Sequence, residues 1–142
     1  MRKNVLVVLA KGFEEIALVG TSMGGTIAFE VAARTNISSL VLRAAVPDYH
    51  KRIMDKYAEK NIDEVFKEKM MVWSGKKVLT SSVKEIMNHN LYKIIDKVKC
   101  PILIIHGDKD SVVDVNLSID FAKHLPNSKL EIVKGADHST GV

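Results

Sequence analysis

Cysteine is nearly absent from this chain, since Cys100 is the single cysteine among its 142 residues. One cysteine cannot form an internal disulfide, so the sequence predicts a reducing, cytoplasmic location. Its apolar neighbours favour a buried structural thiol over a nucleophile. Long apolar runs are also lacking, because every run is far shorter than the roughly 20 residues that cross a bilayer. We therefore expect no membrane span, and the start does not resemble a secretion signal.

Aromatic residues are few, at 6% of the chain, and the net charge of +4 comes mostly from lysines interleaved with Glu and Asp. Nucleic-acid binding needs a basic patch with aromatic or motif support, so this composition argues against it. His, Cys and carboxylate residues show no metal-ligand spacing, and we expect neither a metal nor another cofactor. The 46% hydrophobic and 27% charged residues suit one globular domain.

Five short apolar runs have the near-continuous Val, Ile and Leu content of parallel strands covered on both faces. They lie at residues 4–10, 16–19, 39–44, 101–106 and 129–133. Between them, apolar residues recur at helical spacing over residues 23–34 and 115–124, with Asp114 as the N-cap of the second helix. This alternation predicts an α/β fold with a mostly parallel five-stranded sheet.

The stretch at residues 47–99 differs, because it is too long for one crossover helix. Its patterns predict amphipathic helices at residues 51–60, 62–73, 81–89 and 91–97. We interpret it as a helical, cap-like insertion between the third and fourth strands of a single domain, residues 1–142. Met70, Met71 and Trp73 have two interpretations here. They line an acyl pocket, or they are apolar helix faces that pack on the body.

The motif G-T-S-M-G at residues 20–24 follows an apolar strand and opens a helix. In that context G-x-S-x-G predicts a strained strand-to-helix turn that exposes the hydroxyl of Ser22, with Gly20 and Gly24 giving the backbone room. The N–H of Met23, at the start of the helix, points toward a developing negative charge. The alternative is a tight turn in which Ser22 merely caps the helix.

Two further turns follow the fourth and fifth strands, H-G-D-K-D-S-V-V at residues 106–113 and G-A-D-H-S at residues 135–139. Because the carboxyl ends of parallel strands meet at one sheet edge, we expect both turns beside Ser22. A serine becomes a good nucleophile only when a histidine takes its proton, and an acid must orient that histidine. His106, which ends its strand, is expected to be a structural donor.

The order Ser, Asp, His is that of the α/β-hydrolases. The segments I-I-H-G-D-K-D-x-V-V and P-N-S-K-L-E-I-V-K-G-A-D-H-S are similar to the acid turn and histidine loop of microbial esterases in that superfamily. The resemblance implies a triad of Ser22, Asp110 and His138, an acyl-enzyme intermediate and small carboxylic esters as substrates. It makes Asp110 the acid, with Asp108 and Asp137 as braces of their turns.

The start of the chain departs from this pattern. Residues 5–16, V-L-V-V-L-A-K-G-F-E-E-I, resemble either the hydrolase strand that ends in H-G-F or the opening strand of the DJ-1/PfpI family. The hydrolase alignment implies that the N–H of Phe13 completes an oxyanion hole with that of Met23. Residues 11–15 are too few for a parallel crossover, which needs about a dozen. The first strand should therefore form an antiparallel hairpin or exchange with another subunit.

Helices that the hydrolase pattern has before the elbow strand and after the catalytic histidine are missing from this sequence. Both would cover the same sheet face, so we expect a homodimer or a strand-swapped oligomer to cover it. The departures suggest a truncated, chimeric or engineered hydrolase. Two functions are therefore open, an active serine esterase or an inactive scaffold that keeps the triad motifs without a working oxyanion hole.

Overall fold

The computed structural model describes residues 12–73 and 75–139. Its strands are β1 (Ala17–Thr21), β2 (Ser39–Arg43), β3 (Met70–Trp73), β4 (Lys76–Leu79), β5 (Ile102–Gly107) and β6 (Ser128–Val133). Its helices are α1 (Met23–Ala32), α2 (Tyr49–Lys56), α3 (Ile62–Val65), α4 (Thr80–Ile86), the 3₁₀ helix η1 (Leu91–Lys97) and α5 (Val115–Lys123). The predicted strand at residues 4–10, and with it the choice between hairpin and exchange, lies outside the described residues.

A parallel sheet with the strand order β1-β2-β5-β6 forms the centre of the larger unit. Leu18 of β1 pairs with Leu40 of β2, which pairs with Ile102 of β5. The predicted strands that fall within the described range are confirmed, with small differences at their ends. Because these strands are parallel, their carboxyl ends lie at one edge, where the loops after β1, β2, β5 and β6 meet.

The core lies on one face of this sheet. Phe29 of α1 and Phe121 of α5 pack edge to face with ring centroids 5.4 Å apart, and Leu91 of η1 joins the same cluster. Exposure alternates along β1, where Leu18 is 8% exposed and Val19, on the other face, is 65% exposed. The opposite face therefore carries apolar side chains that are at least partly exposed, namely Val19, Val41, Leu103 and Ile105.

Residues Asp48–Asn90 form a second compact unit with a core of its own. That core contains Ile53, Tyr57, Met71 and Val83. It is the counterpart of the insertion expected at residues 47–99, but η1 belongs to the larger unit instead.

The predicted helix at residues 62–73 is wrong in its second half. Helix α3 ends at Val65, and Met70–Trp73 form strand β3, which is antiparallel to β4 with Met71 opposite Val78. A run of four apolar residues fits a helix or a strand equally well by spacing alone. The nearby Gly75, at φ 76°, supplies the left-handed backbone of a tight hairpin turn.

Candidate active site

Ser22 lies between β1 and α1 with φ 53° and ψ −123°. Residues other than glycine rarely adopt this conformation, and such strain costs on the order of 1–3 kcal/mol. Ser22 is the N-cap residue of α1, but its side chain makes no capping hydrogen bond, so capping does not explain this serine. Its N–H donates to the carbonyl oxygen of Arg43 at 2.8 Å, which ties the turn to the end of β2.

The close approach of β1 and α1 explains one of the two motif glycines. A Cβ atom on Gly20 would lie 2.4 Å from the carbonyl oxygen of Gly24 and 2.8 Å from Cβ of Ala28. A Cβ on Gly24 would meet nothing within 4 Å, whereas one on Gly25 would lie 2.8 Å from Cβ of Ala45. The prediction that a side chain would not fit is thus confirmed for Gly20 and wrong for Gly24. The second position at which a Cβ atom would clash is Gly25.

The structure brings Asp110 and His138 together, with Nδ1 of His138 2.7 Å from Oδ2 of Asp110. Oδ1 of Asp110 accepts hydrogen bonds from the N–H groups of Val112 at 2.9 Å and Val113 at 2.8 Å. Burial acts to raise the pKa of Asp110, but the hydrogen bonds from Val113, His138 and Val112 outweigh it and hold the pKa below its ordinary value. An ionised acid therefore fixes which imidazole nitrogen carries the proton.

Backbone and side-chain bonds join the acid turn to the histidine loop. Oδ1 of Asp108 accepts from the N–H of Gly135 at 2.6 Å, and the N–H of Lys109 donates to the carbonyl oxygen of Ala136 at 3.0 Å. A Cβ on Gly107 would lie 2.1 Å from that same Ala136 oxygen, so only glycine permits the approach. Asp108 thus braces its turn, as the sequence predicted.

Asp137 braces the loop from the other side. Its Oδ1 accepts from the N–H and the hydroxyl of Ser111, both at 3.1 Å, and from the N–H of His138 at 2.6 Å. The hydrogen bonds from the Ser111 N–H, the His138 N–H and the Ser111 hydroxyl lower the pKa of Asp137. The acid turn and the histidine loop therefore form one bonded assembly that presents His138.

Sequence reasoning missed Arg43. Its Nη2 donates to the carbonyl oxygen of His138 at 2.6 Å, although the two residues are 95 positions apart. Together with Asp110 and Asp137, Arg43 lines a cavity of about 10 Å³, close to the smallest volume that holds a water molecule. A signal was present in the sequence, because Arg43 is a charged residue that ends an apolar strand at the edge where the site lies.

The predicted oxyanion residues, Met23 and Phe13, both fall among the described residues. Met23 begins α1, and the first N–H groups of a helix have no acceptor within it. Its side chain is 47% exposed. Phe13 precedes β1 and is 59% exposed.

The three pocket residues proposed from sequence lie in the smaller unit. Met71 is 6% exposed and belongs to that unit's own core, so it is buried by packing, although it lies on strand β3 and not on the expected helix face. Met70, its neighbour on the other face of β3, is 43% exposed. The ring of Trp73 lies beneath the cationic groups of Arg52 and Lys56, at 5.3 and 4.8 Å from its centroid.

Within residues 12–73 and 75–139, no cluster of three or more His, Cys, Asp or Glu side chains could hold a metal ion. Over the same residues, no helix combines the length and the apolar character that a membrane crossing requires.

A parallel sheet, a strained serine turn and an Asp–His pair at its carboxyl edge define an α/β hydrolase. The chain belongs to the BD-FAE family, whose family model matches residues 10–125.

Solved structures show the same fold. Est1E from Butyrivibrio proteoclasticus, determined with ferulic acid bound, is 27% identical with a TM-score of 0.75, over 96% of this chain and 59% of that one. Mouse alpha/beta hydrolase domain-containing protein 10 is 24% identical with a TM-score of 0.75, over 96% of this chain and 60% of that one.

Curated relatives are a lipase and a thioesterase. Bovine mitochondrial palmitoyl-protein thioesterase ABHD10 is 26% identical over an alignment of 151 positions, gaps included, which covers 96% of this chain and 49% of that protein. Mouse monoacylglycerol lipase ABHD6 is 34% identical over 64 residues, 45% of this chain and 19% of that protein. The chain therefore spans about half, or less, of the length of these relatives.

Proposed function

We propose that the chain is a serine hydrolase that cleaves small carboxylic esters through an acyl-enzyme intermediate. The observation that carries the proposal is the 2.7 Å hydrogen bond between His138 and Asp110 at the sheet edge where Ser22 occupies a strained turn. These three side chains supply a base, an acid that orients it and a nucleophile, which is the set that acyl transfer requires.

In the first half of the reaction, Oγ of Ser22 attacks the ester carbonyl carbon while Nε2 of His138 takes its proton. The tetrahedral intermediate collapses, the proton passes to the leaving alkoxide, and an alcohol departs from an acyl group on Ser22. In the second half, water attacks that acyl group and gives its proton to His138. Collapse returns the proton to Ser22 and releases the carboxylic acid, and ionised Asp110 stabilises the imidazolium throughout.

The oxyanion of the tetrahedral intermediate needs hydrogen-bond donors. The N–H of Met23 is the proposed first donor, because it lies at the N-terminus of α1, where the helix dipole favours negative charge. The N–H of Phe13 is the proposed second donor. If that donor is not in place, acylation should be slow, which is the behaviour of the inactive scaffold that the sequence also allowed.

Relatives of this chain suggest which esters to try first. Est1E was solved with ferulic acid, and the curated relatives are named for monoacylglycerol and for palmitoyl thioesters. A panel of a short p-nitrophenyl ester, a feruloyl ester, a monoacylglycerol and an acyl thioester covers these classes.

Covalent labelling by a fluorophosphonate tests the proposal directly. The wild-type chain should be modified at Ser22, located by peptide mass spectrometry, and Ser22→Ala should not react. Ser38→Ala removes a hydroxyl at the opposite end of the sheet, next to β2, and serves as the matched control. A folded wild-type chain that stays unlabelled would support the inactive scaffold and overturn the proposal.

A homodimer is the second part of the proposal. Val19 is 65% exposed on the sheet face opposite the core, and Val41, Leu103 and Ile105 extend that apolar surface. Burying it stabilises an interface by about 25 cal/mol per Å². Light scattering at low micromolar concentration should give a dimer mass, and Val19→Lys should give a monomer. Val72→Lys, at a valine of β3 that is 55% exposed, is the control, and a wild-type monomer would contradict the dimer.

A cytoplasmic location completes the proposal. It rests on the single cysteine, Cys100, whose thiol pKa is raised by burial, as suits a structural thiol. Fractionation of cells that express the chain checks this, and recovery outside the cytoplasm would contradict it.

A further inference from the structure

We infer that Arg43 is a positioning residue that sets the separation between Ser22 and His138. The inference rests on the proposed function, because it assigns a role within the same site. Arg43 contacts both sides of that site, through its backbone on one side and its guanidinium on the other.

The site consists of two bonded parts. In the first, the turn of Ser22 is tied to β2 by the hydrogen bond from the Ser22 N–H to the Arg43 carbonyl oxygen, at 2.8 Å. In the second, the acid turn and the histidine loop are held together through Asp108, Asp110 and Asp137. The Arg43 side chain bridges the two parts, because its Nη2 donates to the carbonyl oxygen of His138 at 2.6 Å.

This bond complements the one from Asp110. Asp110 holds the imidazole of His138 at Nδ1, whereas Arg43 holds the main chain from which that imidazole extends. With both restraints in place, the direction of Nε2 is fixed relative to β2 and so to Ser22. Proton transfer is sensitive to this geometry, since a misplacement of about 1 Å can reduce a rate on the order of 100-fold.

The charges around Arg43 suit this role. Asp110 and Asp137 line the same small cavity as Arg43, so one cationic residue and two acidic residues border it. A hydrogen bond from a charged donor is about twice as strong as a neutral one. An arginine side chain carries several N–H donors in one planar group. It can therefore donate to the His138 carbonyl oxygen and to a second acceptor at the same time.

Kinetics of Arg43→Met and Arg43→Lys test the role. Arg43→Met keeps the backbone bond to Ser22 but loses the bridge, so kcat and the rate of fluorophosphonate labelling should fall by roughly 10- to 100-fold. KM should change little, because Arg43 binds the protein and not the substrate. Arg43→Lys keeps a charged donor and should recover most of the rate. Arg34→Met removes an exposed arginine beyond the other end of α1 and is the control.

A measurement that needs no activity separates this inference from the proposed function. The ¹³C chemical shift of the His138 carbonyl reports its hydrogen bond, and it should move in Arg43→Met and return toward the wild-type value in Arg43→Lys. An unchanged carbonyl shift, or wild-type labelling kinetics in a folded Arg43→Met variant, would overturn the inference. If the wild-type chain itself is not labelled, the proposed function fails, and the carbonyl shift still decides whether Arg43 holds His138.

Discussion

Nε2 of His106 lies 3.3 Å from Oδ2 of Asp110, the oxygen that also receives the hydrogen bond from His138. His106 is fully buried, and the same Nε2 lies 2.9 Å from the carbonyl oxygen of Val113, which can only accept. Nε2 therefore carries a hydrogen, and Nδ1 lies 2.7 Å from the hydroxyl oxygen of Ser118. His106 is the structural donor that the sequence predicted, and it acts on the acid turn itself.

Replacing Ser22 by glycine should stabilise the fold while it removes any esterase activity. Glycine adopts φ 53° freely, whereas alanine retains the strain of the turn. Ser22→Gly should therefore exceed Ser22→Ala in the free energy of unfolding by about 1–2 kcal/mol. Urea denaturation of both variants measures the difference, and equal stabilities would mean that the turn stores no strain.

The two motif glycines should respond differently to alanine. Gly20→Ala forces a Cβ within 2.4 Å of the Gly24 carbonyl oxygen, so it should lower the free energy of unfolding by about 1–3 kcal/mol. Gly24→Ala is the matched control, since its Cβ meets nothing within 4 Å and alanine favours a helix by up to about 1 kcal/mol. Thermal unfolding compares them. Equal losses of stability would refute the packing of β1 on α1.

Asp110→Asn should reduce kcat on a short p-nitrophenyl ester by orders of magnitude, about 10⁴-fold in comparable triads. An amide cannot stabilise the imidazolium of His138 as a carboxylate does. Asp108→Asn should affect kcat far less, because an asparagine oxygen can still accept from the N–H of Gly135. If the order of the two effects were reversed, the acid would be Asp108.

Stability should fall in acid partly through Asp110. Its pKa is lowered in the folded state, so its ionised form contributes stability above the ordinary carboxyl pKa of about 4. That contribution is lost as the pH falls through the lower, folded-state pKa. The gap in the free energy of unfolding between wild type and Asp110→Asn should therefore be largest near neutral pH and shrink in acid.

Denaturation at a series of pH values measures this gap. Asp96→Asn, at an exposed aspartate of η1, controls for the loss of one surface carboxylate. A gap between wild type and Asp110→Asn that stays constant into strong acid would contradict the lowered pKa.

Met71→Ala should destabilise the unit formed by Asp48–Asn90, because it leaves a cavity among Ile53, Tyr57 and Val83. Truncation of a buried methionine typically costs about 2–5 kcal/mol. Met70→Ala, at a neighbour that is 43% exposed, is the control and should cost far less. Limited proteolysis within this segment measures both. Greater protection of Met71→Ala than of Met70→Ala would refute the core assignment.

Local patterns explain why much of this protein could be predicted. Apolar runs bounded by turn residues identified β1, β2, β5 and β6, because strands of a parallel sheet are rich in Val, Ile and Leu. The N-cap at Asp114 was likewise predictable, since its carboxylate accepts from the N–H of Asn116, two residues away. The strand at Met70–Trp73 could not be predicted, because four consecutive apolar residues fit the spacing of a helix and of a strand equally well. Only the pairing with β4 makes this segment a strand.

By itself the sequence determined which residues end the parallel strands, and so that the turns carrying Ser22, Asp110 and His138 follow strands at one sheet edge. Tertiary structure alone decided how that edge is held together. The contacts of Arg43 with His138 and of His106 with Asp110 depend on how close the loops come and which way the side chains turn. Arg43 and His138 are 95 residues apart, and strand pairing, not chain proximity, brings them within 2.6 Å.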